Sequence, residues 1–242
     1  MNNTTIEERI IERMAKRGVK KDAIDFFLAA HRRMHLEEQK ISWDDITPVA
    51  ARHVSELPGK GSKEYNYLKA LGTRNLGRCA VVKLNGGRST TMGGQVPKCT
   101  INAKDGMSFL DIVMHQVVAN NDISGVEVPL VLMNSFFTDQ MTEKIVGKTP
   151  IIIMNFVQNE YPRIRQDDFT PLETGEDEDW CPAGHGDFYN SFYGSGLVDA
   201  LLDLGLRYVF VSNIDNLSAV LSPVILGMMV AQNKDFIMEV TA

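Results

Sequence analysis

The order of its apolar runs constrains this chain most. Downstream of Gly77, short apolar stretches alternate with helical ones. Cys79 to Leu84 (CAVVKL) is followed by a helix over Ser108 to Asn120, and Val128 to Met133 (VPLVLM) by a helix over Thr138 to Val146. Pro150 to Met154 (PIIIM) precedes a helix over Asn190 to Leu204, and Tyr208 to Ser212 (YVFVS) precedes one over Pro223 to Ala231 that leads to a last run, Phe236 to Val240 (FIMEV). Strands with so few polar residues are buried on both faces, and parallel neighbours need a helix-length crossover between them. The pattern predicts an α/β fold, a Rossmann-like and mostly parallel sheet with helices on both faces. Ligands of such sheets bind beyond the carboxyl ends of the strands.

The first third reads differently. Thr5 and Glu8 form a capping box, Ile6, Ile10 and Met14 share one face, and Gly18 follows Arg17, which predicts a first helix ending near Arg17. Asp22 to Met34 repeats the pattern with Ile24, Phe27, Leu28 and His31 near one stripe. Such a pair must dock on something larger. Ser42 to Arg78 is polar and punctuated by Pro48, Pro58, Gly59, Gly61 and Gly72, which reads as a connector with short helical turns. The expected organisation is a helical arm and connector over 1–75 and an α/β domain over 76–242.

Composition removes several classes. With 25 basic and 31 acidic residues, the net charge of −6 argues against a nucleic-acid binder that works through a general basic surface. The longest mostly apolar stretch, Leu217 to Ala231, is 15 residues long and contains Pro223 and Gly227, short of the roughly 20 that span a bilayer. The charged N-terminus lacks the apolar core of a signal peptide. Cys79, Cys99 and Cys181 are far apart, with no metal-finger spacing, so a reducing, cytoplasmic setting is expected.

The segments after the runs carry the chemistry. Asn85-Gly86-Gly87 and Lys98 follow the first run; glycines let backbone N–H groups approach phosphate oxygens, and a lysine supplies a point charge. The spacing is neither G-x-G-x-x-G nor a P-loop, and a plain surface loop has the same composition. Gln158 follows the third run, and its amide can match a uracil edge as donor and acceptor or simply be solvated. His185 lies between Gly184 and Gly186, where its ring can meet a sugar hydroxyl or a phosphate, or serve structure. Asn213, Asp215 and Asn216 close the fourth run; the Asp215 carboxylate suits Mg²⁺ and the Asn213 and Asn216 amides suit sugar hydroxyls, although helix capping by Asp215 or Asn216 is also common. Asp187 is read as a helix cap, Glu173 to Asp179 as a solvated acidic loop, and Met228 and Met229 as core filling.

Taken in order, the strings KLNGG-x-x-TTMG-x-x-x-PK from Lys83, FLD at Phe109, VPLVLMNSF at Val128, YPRI at Tyr161, PAGHGDFY at Pro182, FVSNIDNL at Phe210 and FIMEVT at Phe236 resemble the eukaryotic-type UTP:glucose-1-phosphate uridylyltransferases, or UDP-glucose pyrophosphorylases. The resemblance implies a nucleotidyltransferase domain that makes UDP-glucose and pyrophosphate from UTP and glucose 1-phosphate with Mg²⁺. It implies nucleotide contacts at Leu84, Asn85, Gly86, Gly87, Lys98, Gln158 and Gly184, sugar-phosphate contacts at His185 and Asn213, metal at Asp215, and catalytic roles for Lys98 and Asp215.

This chain departs from the pattern at Arg88 and Ser89, where the family has Leu-Gly, and at Gln95 and Val96, where it has Lys-Gly. Arg88 is expected to add charge that offsets the lost glycine. The family continues beyond the EVT string into a second phosphate-binding lysine, further sugar contacts and a β-helix. Little turnover is therefore expected of the 242 residues alone. A uridine-nucleotide-binding module without turnover, and a pyrophosphorylase for another sugar 1-phosphate, stand as the alternatives.

Overall fold

A computed structural model describes residues 5–34, 42–89, 96–147 and 149–240. Its main sheet contains β1 (Cys79–Leu84), β4 (Leu130–Asn134), β5 (Ile153–Val157) and β8 (Tyr208–Asn213), in the order β5-β4-β1-β8 and parallel throughout. Two short antiparallel pairs lie outside it: β2 (Asn102–Lys104) with β3 (Met107–Ser108), and β6 (Glu160–Pro162) with β7 (Trp180–Pro182). The predicted parallel α/β sheet is therefore found, and the two hairpins are additions to it.

Alternation along β1 divides the core. Cys79 and Val81 pack with Leu110, Val113 and Val117 of α4 (Phe109–Ser124) and with Leu226 of α8 (Pro223–Ala231). Ala80 and Val82 face Phe188 and Phe192 of α6 (Phe188–Gly194) and Leu201 of α7 (Leu197–Asp203). The stretch 190–204 is thus two helices rather than the single predicted one, because Gly196 turns the chain at φ 81°. Another helix, α5 (Asp139–Val146), connects β4 to β5.

Three further expectations are corrected. Within the supposed connector, Lys63–Asn75 forms a 13-residue helix, α3, started by the Ser62 hydroxyl accepting the Tyr65 N–H. Gly72 does not break it. A Cβ there would lie 1.7 Å from the Pro223 carbonyl oxygen, and one at Gly227 would lie 1.9 Å from the Leu68 carbonyl oxygen, so the two glycines let α3 and α8 touch backbone to backbone. Phe236 to Val240 forms no strand: Ile237 packs with Leu68, Val224 and Met228, while Phe236, Met238 and Val240 are exposed.

The acidic run is not simply solvated. The helices α1 (Ile6–Lys16) and α2 (Lys21–Met34) dock through Ile10, Met14, Ile24 and Leu28 onto Trp180. Arg9 pairs with Glu173 at 2.7 Å, Arg13 with Asp179 at 3.3 Å, and Arg17 with Asp177 at 2.9 Å and Glu160 at 2.7 Å. Arg13 and Arg17 also lie over the Trp180 ring. Burial opposes the charge on Asp179, but hydrogen bonds from Thr174 and Gly175 and from Arg13 outweigh it and hold the carboxyl at about 2.

Candidate functional site

The candidate site is built on the carboxyl ends of the parallel strands, and buried amides support it from below. Asn85, 1% exposed, follows β1; its Nδ2 donates to Asn134 Oδ1 at 2.8 Å and to Thr142 Oγ1 at 3.0 Å. Asn134 in turn donates to Asp139 at 2.8 Å. Leu84 contributes its carbonyl, which accepts the Ile214 N–H at 3.1 Å and ties the end of β1 to the end of β8. The side chains of Leu84 and Asn85 therefore hold the glycine turn in place, Leu84 by packing on the core and Asn85 by joining adjacent strand ends.

Above this base, Gly86, Gln158 and Gly184 meet. Gln158 is 6% exposed, its backbone N–H donates to the Asn134 carbonyl at 2.9 Å, and its Oε1 accepts the Gly184 N–H at 2.7 Å. Since an N–H requires an acceptor, that contact fixes the amide orientation and sets Nε2 over Gly86. A Cβ at Gly86 would lie 2.0 Å from Nε2, so any larger residue there would have to push the amide out of place. Gly184 adopts φ 89° and ψ −172°, a region essentially confined to glycine. The Gly86 carbonyl accepts from Ser135 Oγ at 2.8 Å.

A second group brings together Gly87, Lys98 and Asp215. The Lys98 N–H donates to the Gly87 carbonyl at 3.1 Å, and Lys98 Nζ lies 3.2 Å from Asp215 Oδ2, both side chains being about one-third exposed. Asp215 thus meets a cation across the ends of β1 and β8 instead of capping a helix. His185 is exposed on the turn that follows Gly184, and Asn213 is exposed at the last position of β8.

The TTMG string and Gln95 fall within 90–95, outside the described residues. At the base of that loop, Ser89 N–H donates to the Val96 carbonyl at 3.0 Å, and the Ser89 side chain is fully buried. Arg88 sits over Phe137 with its guanidinium carbon 3.3 Å from the ring centre, so its charge is directed to that ring rather than added to the glycine turn as expected. Asp187 makes no cap contact; its carboxylate accepts the Asn159 N–H at 2.8 Å and both Nδ2 contacts at 3.0 Å, which secures the turn holding Gly184.

The roles of Ser135, Asn134 and Asn159 went unread in the sequence. The one local signal for Asn134 and Ser135 is position, directly after the run Val128 to Met133. A cleft of about 510 Å³ between the α1–α2 turn and α6 reaches this site at Gln158 and Asn159; Lys20, Phe26, Tyr189 and Tyr193 line it elsewhere.

Comparison with known proteins identifies the family of the chain. The family model described as UTP--glucose-1-phosphate uridylyltransferase matches residues 24–242. A probable UTP--glucose-1-phosphate uridylyltransferase of Schizosaccharomyces pombe is 38% identical over 239 residues, covering 94% of this chain and 46% of the relative. The Hordeum vulgare protein is 41% identical over 214 residues, covering 85% of this chain and 44% of its own. Among solved structures, UDP-glucose phosphorylase from Trypanosoma brucei superposes with a TM-score of 0.78 at 35% identity, over 94% of this chain and 49% of that one. A Leishmania major UDP-glucose pyrophosphorylase mutant in complex with UDP-glucose gives 0.76 at 28% identity, over 95% and 48%. The chain spans about half the length of the curated relatives it matches. It belongs to the UTP--glucose-1-phosphate uridylyltransferase family.

Proposed function

We propose that this chain binds UTP and glucose 1-phosphate and transfers the uridylyl group to form UDP-glucose and pyrophosphate. The observation that carries the reading is the meeting of Gly86, Gln158 and Gly184 beside the Lys98–Asp215 pair, an amide pocket next to a cation at the strand ends. Gln158 Nε2 donates to the uracil C4 carbonyl, where cytosine carries an amino group, while Gly184 keeps Oε1 occupied and the amide oriented. The glycine turn brings backbone to the phosphates, and the Lys98 ammonium turns from Asp215 toward their charge.

In the reaction, a phosphate oxygen of glucose 1-phosphate attacks the α-phosphorus in line. One P–O bond forms, the bond to pyrophosphate breaks, and no enzyme-bound intermediate arises. The protein contributes position and a field that favours the charge shifting onto pyrophosphate. His185 and Asn213 hold the sugar phosphate.

Among the described residues no cluster of three or more His, Cys, Asp or Glu side chains gathers to hold an ion. A single carboxylate suits Mg²⁺, which keeps several waters and is shared with substrate phosphates. Asp215 would hold it, and the ion would neutralise phosphate charge.

The division into an arm and connector over 1–75 and a catalytic domain over 76–242 is part of this proposal, as is a cytoplasmic location. The three free cysteines support the latter. Among the described residues no helix is long and apolar enough to cross a membrane.

The test is a coupled assay for UDP-glucose with UTP, glucose 1-phosphate and Mg²⁺. Formation that is slow with these 242 residues alone and that Asp215→Ala abolishes is the expected result. UTP binding without any UDP-glucose would instead identify a binding module.

A further inference from the structure

Lys83 is the single charged residue in the apolar run of β1, and it is 2% exposed. By strand alternation it shares the face of Cys79 and Val81, against α4. Its Nζ donates to Ser212 Oγ at 2.7 Å and to the Ala219 carbonyl at 2.9 Å, and lies 5.5 Å from the Phe210 ring centre. Among the described residues no carboxylate pairs with it. Burial lowers its pKa to about 8, which leaves it mostly protonated at neutral pH with all its N–H donors.

A buried ammonium without a counter-ion is unfavourable, and a hydrocarbon side chain would fill the same space. What the ammonium supplies is directional. Its two acceptors stand at the two ends of segment 212–219, which carries Asn213 and Asp215, and Gln116 of α4 adds a third tie by donating to the Leu217 carbonyl at 2.8 Å. The segment has no helix of its own to hold its shape.

We propose that Lys83 is a positioning residue: by tying both ends of segment 212–219 to β1, it holds Asp215 opposite Lys98 without touching substrate itself. The tie stands on this geometry, and its consequence for nucleotide binding rests on the uridylyl-transfer reading.

The experiment combines hydrogen-exchange mass spectrometry with calorimetric titration of the full chain as wild type, Lys83→Met and Ser212→Ala. In Lys83→Met, exchange over 213–219 should rise about tenfold while peptides containing Gln158 and Gly184 stay at wild-type rates. Affinity for UTP with Mg²⁺ should fall by about tenfold and affinity for uridine should not change. A merely structural role would move all of these together. Ser212→Ala removes one of the two acceptors on an edge strand, and should raise exchange in the same peptides by about threefold even if Lys83→Met does not fold.

Wild-type exchange over 213–219 in a folded Lys83→Met chain would overturn the proposal, as would a loosened segment with unchanged Mg²⁺–UTP affinity. If the wild type binds no uridine nucleotide while the exchange pattern moves as expected, the uridylyl reading falls and the tie stands.

Discussion

The Gly184 N–H donates to Gln158 Oε1 across 2.7 Å, joining residues 26 positions apart. One end of the amide is thereby spent on the protein, and the other lies where Gly86 leaves no room for a Cβ. A donor fixed this way recognises a carbonyl acceptor at low entropic cost, because its orientation is set before any ligand arrives.

Gly86→Ala tests that fit. The new methyl group would sit 2.0 Å from Nε2 and must displace the amide. Because the displaced atom is a side-chain tip, thermal stability should fall by only about 1 kcal/mol. Uridine affinity should fall at least tenfold, roughly the value of one polar contact. Paired thermal melts and calorimetric titrations separate the two effects.

Lys98→Ala should weaken UTP far more than uridine, because the lost ammonium acts on phosphate. Equal losses would show that the lysine serves the fold. Added salt should narrow the difference between wild type and variant, since Lys98 and Asp215 are partly exposed and their charges are screened.

Acid should release the arm. Asp179 is held at about 2, below its ordinary value of 3.8, so it contributes stability above pH 4 that is lost as pH falls from about 4 toward 2. Asp179→Asn keeps the shape and removes the charge. It should lower the melting temperature at pH 7 and abolish the part of the acid transition between pH 4 and 2 that belongs to this group. Melts of both proteins from pH 2 to pH 7 measure the difference.

Gly72→Ala and Gly227→Ala should each be strongly destabilising, since each Cβ would meet backbone rather than a movable side chain. A cost of about 3 kcal/mol or more is expected, the upper end for overpacking. Denaturant titration provides the measurement.

What the sequence revealed depended on how local the cause was. β1 was legible because CAVVKL is a continuous apolar run, and α1 because Thr5 and Glu8 announce its start. Gly72 reads as a breaker in the sequence because its reason, the backbone of α8, lies about 150 residues away along the chain. The acidic run looked solvated for the same kind of reason, since its partners Arg9, Arg13 and Arg17 belong to the arm. At the candidate site, the glycine turn, Gln158, Gly184, Lys98 and Asp215 each stand out in the sequence. Their grouping into an amide pocket and a charge pair does not, because it depends on how loops from β1, β5 and β8 lean together. Arg88 shows the limit of charge counting: beside a phosphate-type turn it reads as an added cation, yet Phe137 holds it.

The central claim is that Gly86, Gln158 and Gly184 form a uracil-selective pocket. Calorimetric titration of the wild-type chain and Gln158→Ala with UTP and with CTP tests it most directly. Wild type should prefer UTP by at least tenfold, and Gln158→Ala should erode that preference by about 1 to 3 kcal/mol. Equal affinities of the wild type for UTP and CTP, or a preference that survives Gln158→Ala intact, would contradict it.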